Sequence, residues 1–231
     1  DRKYDNLINI LGADHTGYIK RIKSAVSALS DNKILLDCKV CQLVKLYKNG
    51  QPFKMSKRAG EFISAQDLLD EVEKDPIRFM MLNRSNDVEL DFDFDKVKEK
   101  NKDNPVFYVQ YAYARINSIL RSLKIKFTNK VKLNDKDFQL NEIEQKILRK
   151  VFEWPKIIES ASNKFDLHKI PVYLYDLATL FHSYWSKGNE DEKYKFIRDE
   201  KIKRNEIFAI MNLTAIVLQN GMGILGVSLP D

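Results

Sequence analysis

The chain changes character at Asn104-Pro105, and the stretch beyond that point constrains the fold most. From there to the end, apolar residues recur at helical rather than strand spacing, and such stripes are hidden from water only when helices pack together. Pro105 suits a first helical turn, where its missing N–H would have had no partner anyway. In Val106–Leu120 the stripe is Val109, Tyr113, Ile116 and Leu120, so Tyr113 is expected to be buried; Tyr108, Tyr111 and Arg115 fall to one side of it. Further helices are predicted at about 141–154, 168–186, 191–198 and 203–220, with Pro171 in a first turn and Gly221 stopping the last. Lys124–Lys136 reads as a basic, polar connection. The expectation is an α-helical bundle without internal repeats.

Residues ahead of Asn104 read differently. Asn6–Leu11 is a short apolar run ending at Gly12, the pattern of a buried strand. Asp14 lies in the next turn, and Tyr18–Leu29 carries Ile19, Ile22, Val26 and Leu29 on one helical face with Lys20, Arg21 and Lys23 on another. Strand, turn and helix make half of a βαβ unit, and open α/β sheets bind ligands at the carboxyl ends of their strands. Gly12, Asp14 and His15 therefore stand where a nucleotide can sit, although an ordinary helix cap by Asp14 would use the same residues. A second extended run, Lys39–Leu46, is ambiguous between strand and helix; the Asn49-Gly50 turn after it favours strand. Ser64-Ala65-Gln66-Asp67 has the form of a helix N-cap, and Pro76 opens a further helix with Phe79, Met80 and Leu82. Asp91-Phe92-Asp93-Phe94-Asp95 is a short strand or a turn with its phenylalanines inward and its acids in solvent.

Between these parts stands Lys54-Met55-Ser56-Lys57-Arg58, closed by Ala59-Gly60. Two lysines and an arginine on a glycine-flanked loop suit a transition state that gathers negative charge on departing phosphates. A solvated basic loop is the plainer reading of so short a run. Charge is unevenly spread. Residues 1–60 hold 12 Lys and Arg against 5 Asp and Glu, residues 61–100 hold 6 against 12, and residues 101–231 hold 21 against 16. Two basic blocks around an acidic one fit a protein that touches a polyanion in two places. Cys38 and Cys41 have no second pair and no nearby His to complete a metal site, so no metal ligands are assigned; their Cys-x-x-Cys spacing suits redox work, but both are expected to be small buried apolar residues of a reducing compartment. No apolar run is expected to reach membrane-spanning length, and Asp1-Arg2-Lys3-Tyr4 does not resemble a signal peptide.

Taken in order, several of these segments resemble the C-terminal half of a bacterial-type arginyl-tRNA synthetase, a class I enzyme. The segments are Gly12-Ala13-Asp14-His15-Thr16-Gly17-Tyr18, Lys54 through Gly60, and Asn104-Pro105-Val106-Phe107-Tyr108-Val109-Gln110-Tyr111-Ala112-Tyr113-Ala114-Arg115. Tyr173-Leu174-Tyr175-Asp176-Leu177-Ala178 and the closing Leu218-Gln219-Asn220-Gly221 to Leu225-Gly226-Val227 complete the set. The resemblance implies a mainly α chain. Residues 1–103 would be the C-terminal part of a class I, Rossmann-like nucleotide-binding α/β domain, and residues 104–231 an α-helical anticodon-binding bundle.

It also implies an activity: ATP, as its Mg²⁺ complex, activates arginine, and the arginyl group passes to tRNA. In that scheme Lys54 and Lys57 neutralise the β- and γ-phosphates, Met55, Ser56 and Arg58 hold the loop on the nucleotide, and Gly12, Asp14 and His15 lie near the adenosine. Thr16 stands where the family often has another His. Tyr108, Tyr111 and Arg115 become the residues that meet anticodon-loop bases. The partners implied are an arginine-accepting tRNA, arginine and ATP, without a membrane, for a monomer in the cytoplasm. The family's His-x-Gly-His signature is missing, since the histidines are His15, His168 and His182; the expectation is a fragment that cannot form adenylate by itself. Two other readings remain open: a stand-alone tRNA-binding module without catalysis, and the corresponding half of a cysteinyl-tRNA synthetase.

Overall fold

The computed structural model describes residues 4, 6–53, 63–128 and 139–230. Lys54, Met55, Ser56, Lys57 and Arg58 lie outside them, as does most of the connection read at Lys124–Lys136. The chain forms two compact units, Asp1–Phe62 with Arg84–Asp93, and Ile63–Asn83 with Phe94–Asp231.

In the first unit β1 (Leu7–Gly12) runs parallel to β2 (Leu36–Cys41), with Leu7 opposite Leu36 and Gly12 opposite Cys41. A 3-10 turn, Ala13–Tyr18, and α1 (Ile19–Leu29) make the crossover. The expected βαβ unit is therefore present. The ambiguous run at Lys39–Leu46 is strand, but it is shared between two sheets. At Gln42-Leu43 it leaves β2, and the Gln42 N–H donates to the Asn86 carbonyl at 2.8 Å. β3 (Val44–Lys48) then starts a second sheet, paired antiparallel with β4 (Gln51–Pro52) and parallel with β5 (Leu90–Asp93). Asn49 and Gly50 both take positive φ, 52° and 69°, as a two-residue hairpin turn matched to the strand twist requires. The acid–aromatic alternation is strand through Asp93 and turn at Phe94-Asp95: Leu90, Phe92 and Phe94 are buried, while Asp91 is exposed.

The second unit opens with α2 (Ala65–Glu71) and α3 (Lys74–Leu82). Ser64 caps α2 reciprocally: its hydroxyl accepts from the Asp67 N–H, and the Asp67 carboxylate accepts from the Ser64 N–H at 2.8 Å. The Ser64 hydroxyl also donates to that carboxylate at 2.7 Å, and this bond, ahead of the one from the backbone, holds the Asp67 carboxyl below its ordinary pKa. The bundle proper is α4 (Pro105–Ser122), α5 (Glu142–Lys164), α6 (Lys169–Glu190) and α7 (Asn205–Leu225). Val109, Ile116, Ile147, Leu174, Phe181 and Ile210 are fully buried in their common core. Tyr113, expected to be buried, is only partly so and packs at the margin of that core.

Further details correct the sequence reading. Cys38 is only partly buried and Cys41 is exposed. α5 does not end at Trp154 but runs through Pro155 to Lys164. The helix expected at 191–198 is instead a single 3-10 turn and a hairpin, β6 (Ile197–Arg198) and β7 (Lys201–Ile202). The cause is tertiary. Asp191 accepts from the Lys193 N–H at 2.8 Å, and buried Phe196 folds back with its ring centroid 4.5 Å from Tyr184. Gly188 makes the close approach possible, since a Cβ there would stand 2.8 Å from the Tyr194 carbonyl oxygen. Gly221 does not stop α7 either. It lies inside the helix, where a Cβ would be 2.6 Å from a Leu174 methyl, and Gly226, at φ +66°, ends the helix instead. Arg78 Nε covers that end by donating to the Leu225 carbonyl at 2.7 Å.

Finally, α7 is long and apolar enough to span a membrane by length and composition, contrary to expectation. Most of it is buried in the bundle, which accounts for its composition.

Candidate nucleic-acid interface

Residues 108, 111 and 115 are spaced by three and four, so α4 stacks Tyr108, Tyr111 and Arg115 along one face. The stripe one position further round the helix, Val109, Ala112 and Ile116, is fully buried and fixes how that face is turned. α6 meets it with Tyr175, His182 and Trp185. The rings form a contiguous cluster: Tyr108 lies 4.3 Å from His182 and 5.4 Å from Tyr175, centroid to centroid. Tyr111 stacks on His182 at 5.3 Å and on Phe107 at 5.7 Å, the latter nearly coplanar at 12°.

Arg115 is the polar centre of this cluster. Its guanidinium carbon lies 4.3 Å from the Tyr111 centroid and 5.3 Å from that of Trp185. One terminal nitrogen contacts His182 Nδ1 at 3.1 Å and the other donates to the Tyr111 hydroxyl. Tyr111 is 42% exposed, whereas His182 is buried. Burial raises the Tyr108 phenol pKa and, as the largest effect, lowers that of the His182 imidazole. The imidazole's contact with the Tyr108 carbonyl opposes this shift, and Arg115 adds to it. Beside Tyr111 a recess of about 380 Å³ opens between Phe107, Gln110 and Ala114 of α4 and Ser228–Pro230. Gln110 Nε2 pins that segment by donating to the Ser228 carbonyl at 2.9 Å. A solvent-facing tyrosine, a guanidinium held in plane and an apolar recess can together take unpaired bases and a phosphate.

The sequence reading placed Tyr108, Tyr111 and Arg115 together, as they are found. It gave no role to His182, Tyr175 or Trp185. Their spacing, seven and then three residues along one predicted helix, was the available signal, but helical spacing also describes core.

In the first unit, Gly12 ends β1 at the carboxyl edge of the parallel pair, and Asp14 and His15 come next in the 3-10 turn. Their side chains are exposed, with Asp14 Oδ2 and His15 Nε2 3.6 Å apart. A Cβ on Gly12 would come within 2.7 Å of Asp14 Oδ1, the end of an exposed side chain that can turn aside. No side chain caps the turn or α1, which leaves Asp14 without the capping role that was its alternative. The cationic Lys54–Arg58 segment adds no geometry here, being outside the described residues.

Known proteins share both the sequence and the fold. Residues 109–231 match the DALR anticodon binding domain family. The whole chain is 55% identical over 231 residues to an arginine–tRNA ligase of Pelagibacter ubique, covering 100% of this chain and 40% of the relative. It is 46% identical to that of Roseobacter denitrificans, covering 98% and 40%. A solved Campylobacter jejuni structure assigned as an arginyl-tRNA synthetase superposes with a TM-score of 0.85 at 31% identity, over 99% of this chain and 48% of that one. The arginyl-tRNA synthetase of Thermus thermophilus shares the fold, with a TM-score of 0.74 at 19% identity over 99% and 41%. The chain thus spans about 40% of the length of the curated relatives it matches.

Proposed function

Because the chain belongs to the DALR anticodon-binding domain family, we propose that it is a piece of an arginine–tRNA ligase whose helical unit grips the anticodon loop of an arginine-accepting tRNA. The single observation that carries this reading is the 55% identity to an arginine–tRNA ligase along all 231 residues. It favours the arginine enzyme over the cysteine one. In the whole enzyme the carboxylate of arginine attacks the α-phosphorus of ATP, pyrophosphate leaves, and arginyl-adenylate results. A terminal ribose hydroxyl of the tRNA then takes the arginyl group and AMP departs.

Within that scheme residues 1–103 serve the nucleotide and residues 104–231 the anticodon. Gly12, Asp14 and His15 sit at a strand-end turn, the position at which open parallel sheets meet a nucleotide, and are assigned to the adenosine end. Lys54 and Lys57 are assigned to the β- and γ-phosphates of the Mg²⁺–ATP substrate, where ammonium groups stabilise charge that grows in the transition state. Met55, Ser56 and Arg58 hold the nucleotide beside them. Tyr108 and Tyr111 supply stacking faces and Arg115 supplies N–H donors; stacking tolerates any base, so choice among tRNAs rests on hydrogen bonds to base edges. The reading carries with it a monomeric state and a cytoplasmic location.

Fluorescence anisotropy with labelled tRNA tests it. Arginine-accepting tRNA should bind more tightly than a tRNA whose anticodon loop has been exchanged. Tyr111→Ala should weaken that binding about tenfold, the worth of one base stacked on an aromatic ring, with the far-UV spectrum unchanged. Equal affinity for both tRNAs, or no response to Tyr111→Ala, would remove the anticodon assignment. The same polypeptide assayed alone should give no arginine-dependent ATP–pyrophosphate exchange; robust exchange would show that the catalytic residues needed are all present here.

A further inference from the structure

We infer that His182, as its neutral Nε2–H tautomer, is a positioning residue that sets the Arg115 guanidinium and, through it, the Tyr111 ring for RNA. This rests on the anticodon reading for what Tyr111 meets, but not for how His182 holds Arg115.

His182 is 5% exposed and both its ring nitrogens are engaged. Nδ1 stands 3.1 Å from an Arg115 terminal nitrogen, and Nε2 stands 3.1 Å from the Tyr108 carbonyl oxygen. A guanidinium has only donors and a carbonyl only lone pairs, so one protonation pattern satisfies both contacts. Nδ1 accepts from Arg115, and Nε2–H donates to Tyr108. The other tautomer would oppose N–H to N–H and lone pair to lone pair; the imidazolium would oppose one cation to another. Each costs more in a buried site than in water, because solvent cannot screen or replace the lost bond.

The consequence passes along α4. With one terminal nitrogen held on His182, the other donates to the Tyr111 hydroxyl while the guanidinium lies over the Tyr111 ring at 4.3 Å. Of five N–H donors, those not committed to His182 and Tyr111 are left for a phosphate or base edge. Without an acceptor at Nδ1, Arg115 would lose its fixed rotamer. The half-exposed Tyr111 would then pay for its own ordering when a base stacks on it.

Two near-isosteric substitutions separate positioning from simple packing. His182→Asn puts a carbonyl oxygen close to the place of Nδ1 and keeps the acceptor for Arg115. His182→Gln puts an amide N–H close to the place of Nε2, keeping the Tyr108 bond and losing the Arg115 one. Each retains one buried hydrogen bond, so a merely structural histidine predicts equal behaviour. Positioning predicts that the Asn variant binds arginine-accepting tRNA within about twofold of wild type while the Gln variant loses about tenfold, the worth of one charge-assisted bond. Equal losses, or none in either where Tyr111→Ala does weaken binding, would overturn the inference.

Nitrogen-15 NMR of the free chain gives a second measurement independent of RNA. It should show Nε2 protonated and Nδ1 bare, with a distinct Arg115 side-chain signal that is lost in His182→Gln and kept in His182→Asn. A protonated Nδ1, or an Arg115 signal indifferent to both substitutions, would also overturn it. Should Tyr111→Ala leave tRNA affinity unchanged while these NMR results hold, the anticodon reading fails and the His182–Arg115 coupling stands.

Discussion

The two units use similar sequence patterns to opposite effect. In the helical unit the predicted stripes close on one another, and Ile116, Leu174, Phe181 and Ile210 lose all contact with water. In the α/β unit the stripe of α1 is equally regular, yet no residue of that helix is buried, and Leu29 is 89% exposed. Ile10 on β1, Leu35 ahead of β2 and Leu43 beyond it are 70%, 88% and 63% exposed. Among its described residues only Leu46, Leu90 and Phe92 are buried apolar side chains. Parallel sheets are ordinarily covered on both faces, and each large aliphatic side chain left in water forgoes about 1.5–3 kcal/mol. An amphipathic pattern states which face a segment wants covered; it does not supply the cover. This is what a part of a larger α/β domain should look like, and it agrees with relatives some two and a half times as long.

The sharpest way to break this contrast is to truncate one large side chain in each unit. Phe181→Ala opens a cavity among fully buried neighbours and should lower stability by about 4 kcal/mol in urea unfolding. Ile10→Ala removes a side chain already 70% in water and should leave the midpoint where it was. Similar losses at both positions would mean that the α/β unit carries a core of its own.

Charge gives a second, smaller contrast. Glu144 is fully buried at the start of α5, where it accepts from the Asn141 N–H at 2.9 Å, from the Tyr184 hydroxyl and from Arg204. Burial and that carboxylate together push the Tyr184 phenol pKa far up. Glu144→Ala leaves three donors facing an apolar space and should cost about 3 kcal/mol, toward the low end for a broken buried pair because the Arg204 side chain keeps 30% of its exposure. Lys45 and Glu89 of the α/β unit are also in direct contact, at 2.6 Å, but both are about half exposed. Their bond raises the Lys45 pKa, yet Glu89→Ala should not move the urea midpoint measurably. A drop as large as that of Glu144→Ala would show that distance, not burial, sets the worth of an ion pair here.

What the sequence made legible divides in the same way. Local rules carried far: Pro105 opens α4, Ser64 and Asp67 cap α2, Asn49-Gly50 turns a hairpin, and Tyr108, Tyr111 and Arg115 share a face. The misses lie where a distant neighbour overrules a local preference. Residues 191–198 have helical periodicity, but Phe196 gains more by packing on Tyr184 of α6 than by continuing a helix. Gly221 has the look of a helix end and is instead the one residue that lets α7 approach Leu174. His182 could be placed on a predicted helix but not against Arg115, because a contact across 67 residues leaves no mark in either local pattern. The assignments to Lys54 and Lys57 stay on the sequence alone.

The smallest expected effect is a pH dependence that belongs to the helical unit. Burial is the main reason the folded-state pKa of His182 lies below its ordinary 6.5. In the unfolded chain the imidazole takes up its proton near that ordinary value; in the fold it does so only at lower pH. Between the two, the unfolded state holds more protons, so stability rises with pH. The contribution is fully present above about pH 6.5 and is lost as pH falls through that value toward the folded pKa. Urea midpoints collected from about pH 7.5 downward should therefore decline in the wild type, and less steeply in His182→Asn, which cannot titrate there. Carboxylates contribute equally to both proteins at the acid end, so the difference between the two curves isolates the imidazole. Parallel curves would mean that His182 keeps an unshifted proton affinity, a result at odds with an N–H of Arg115 pointing at its Nδ1.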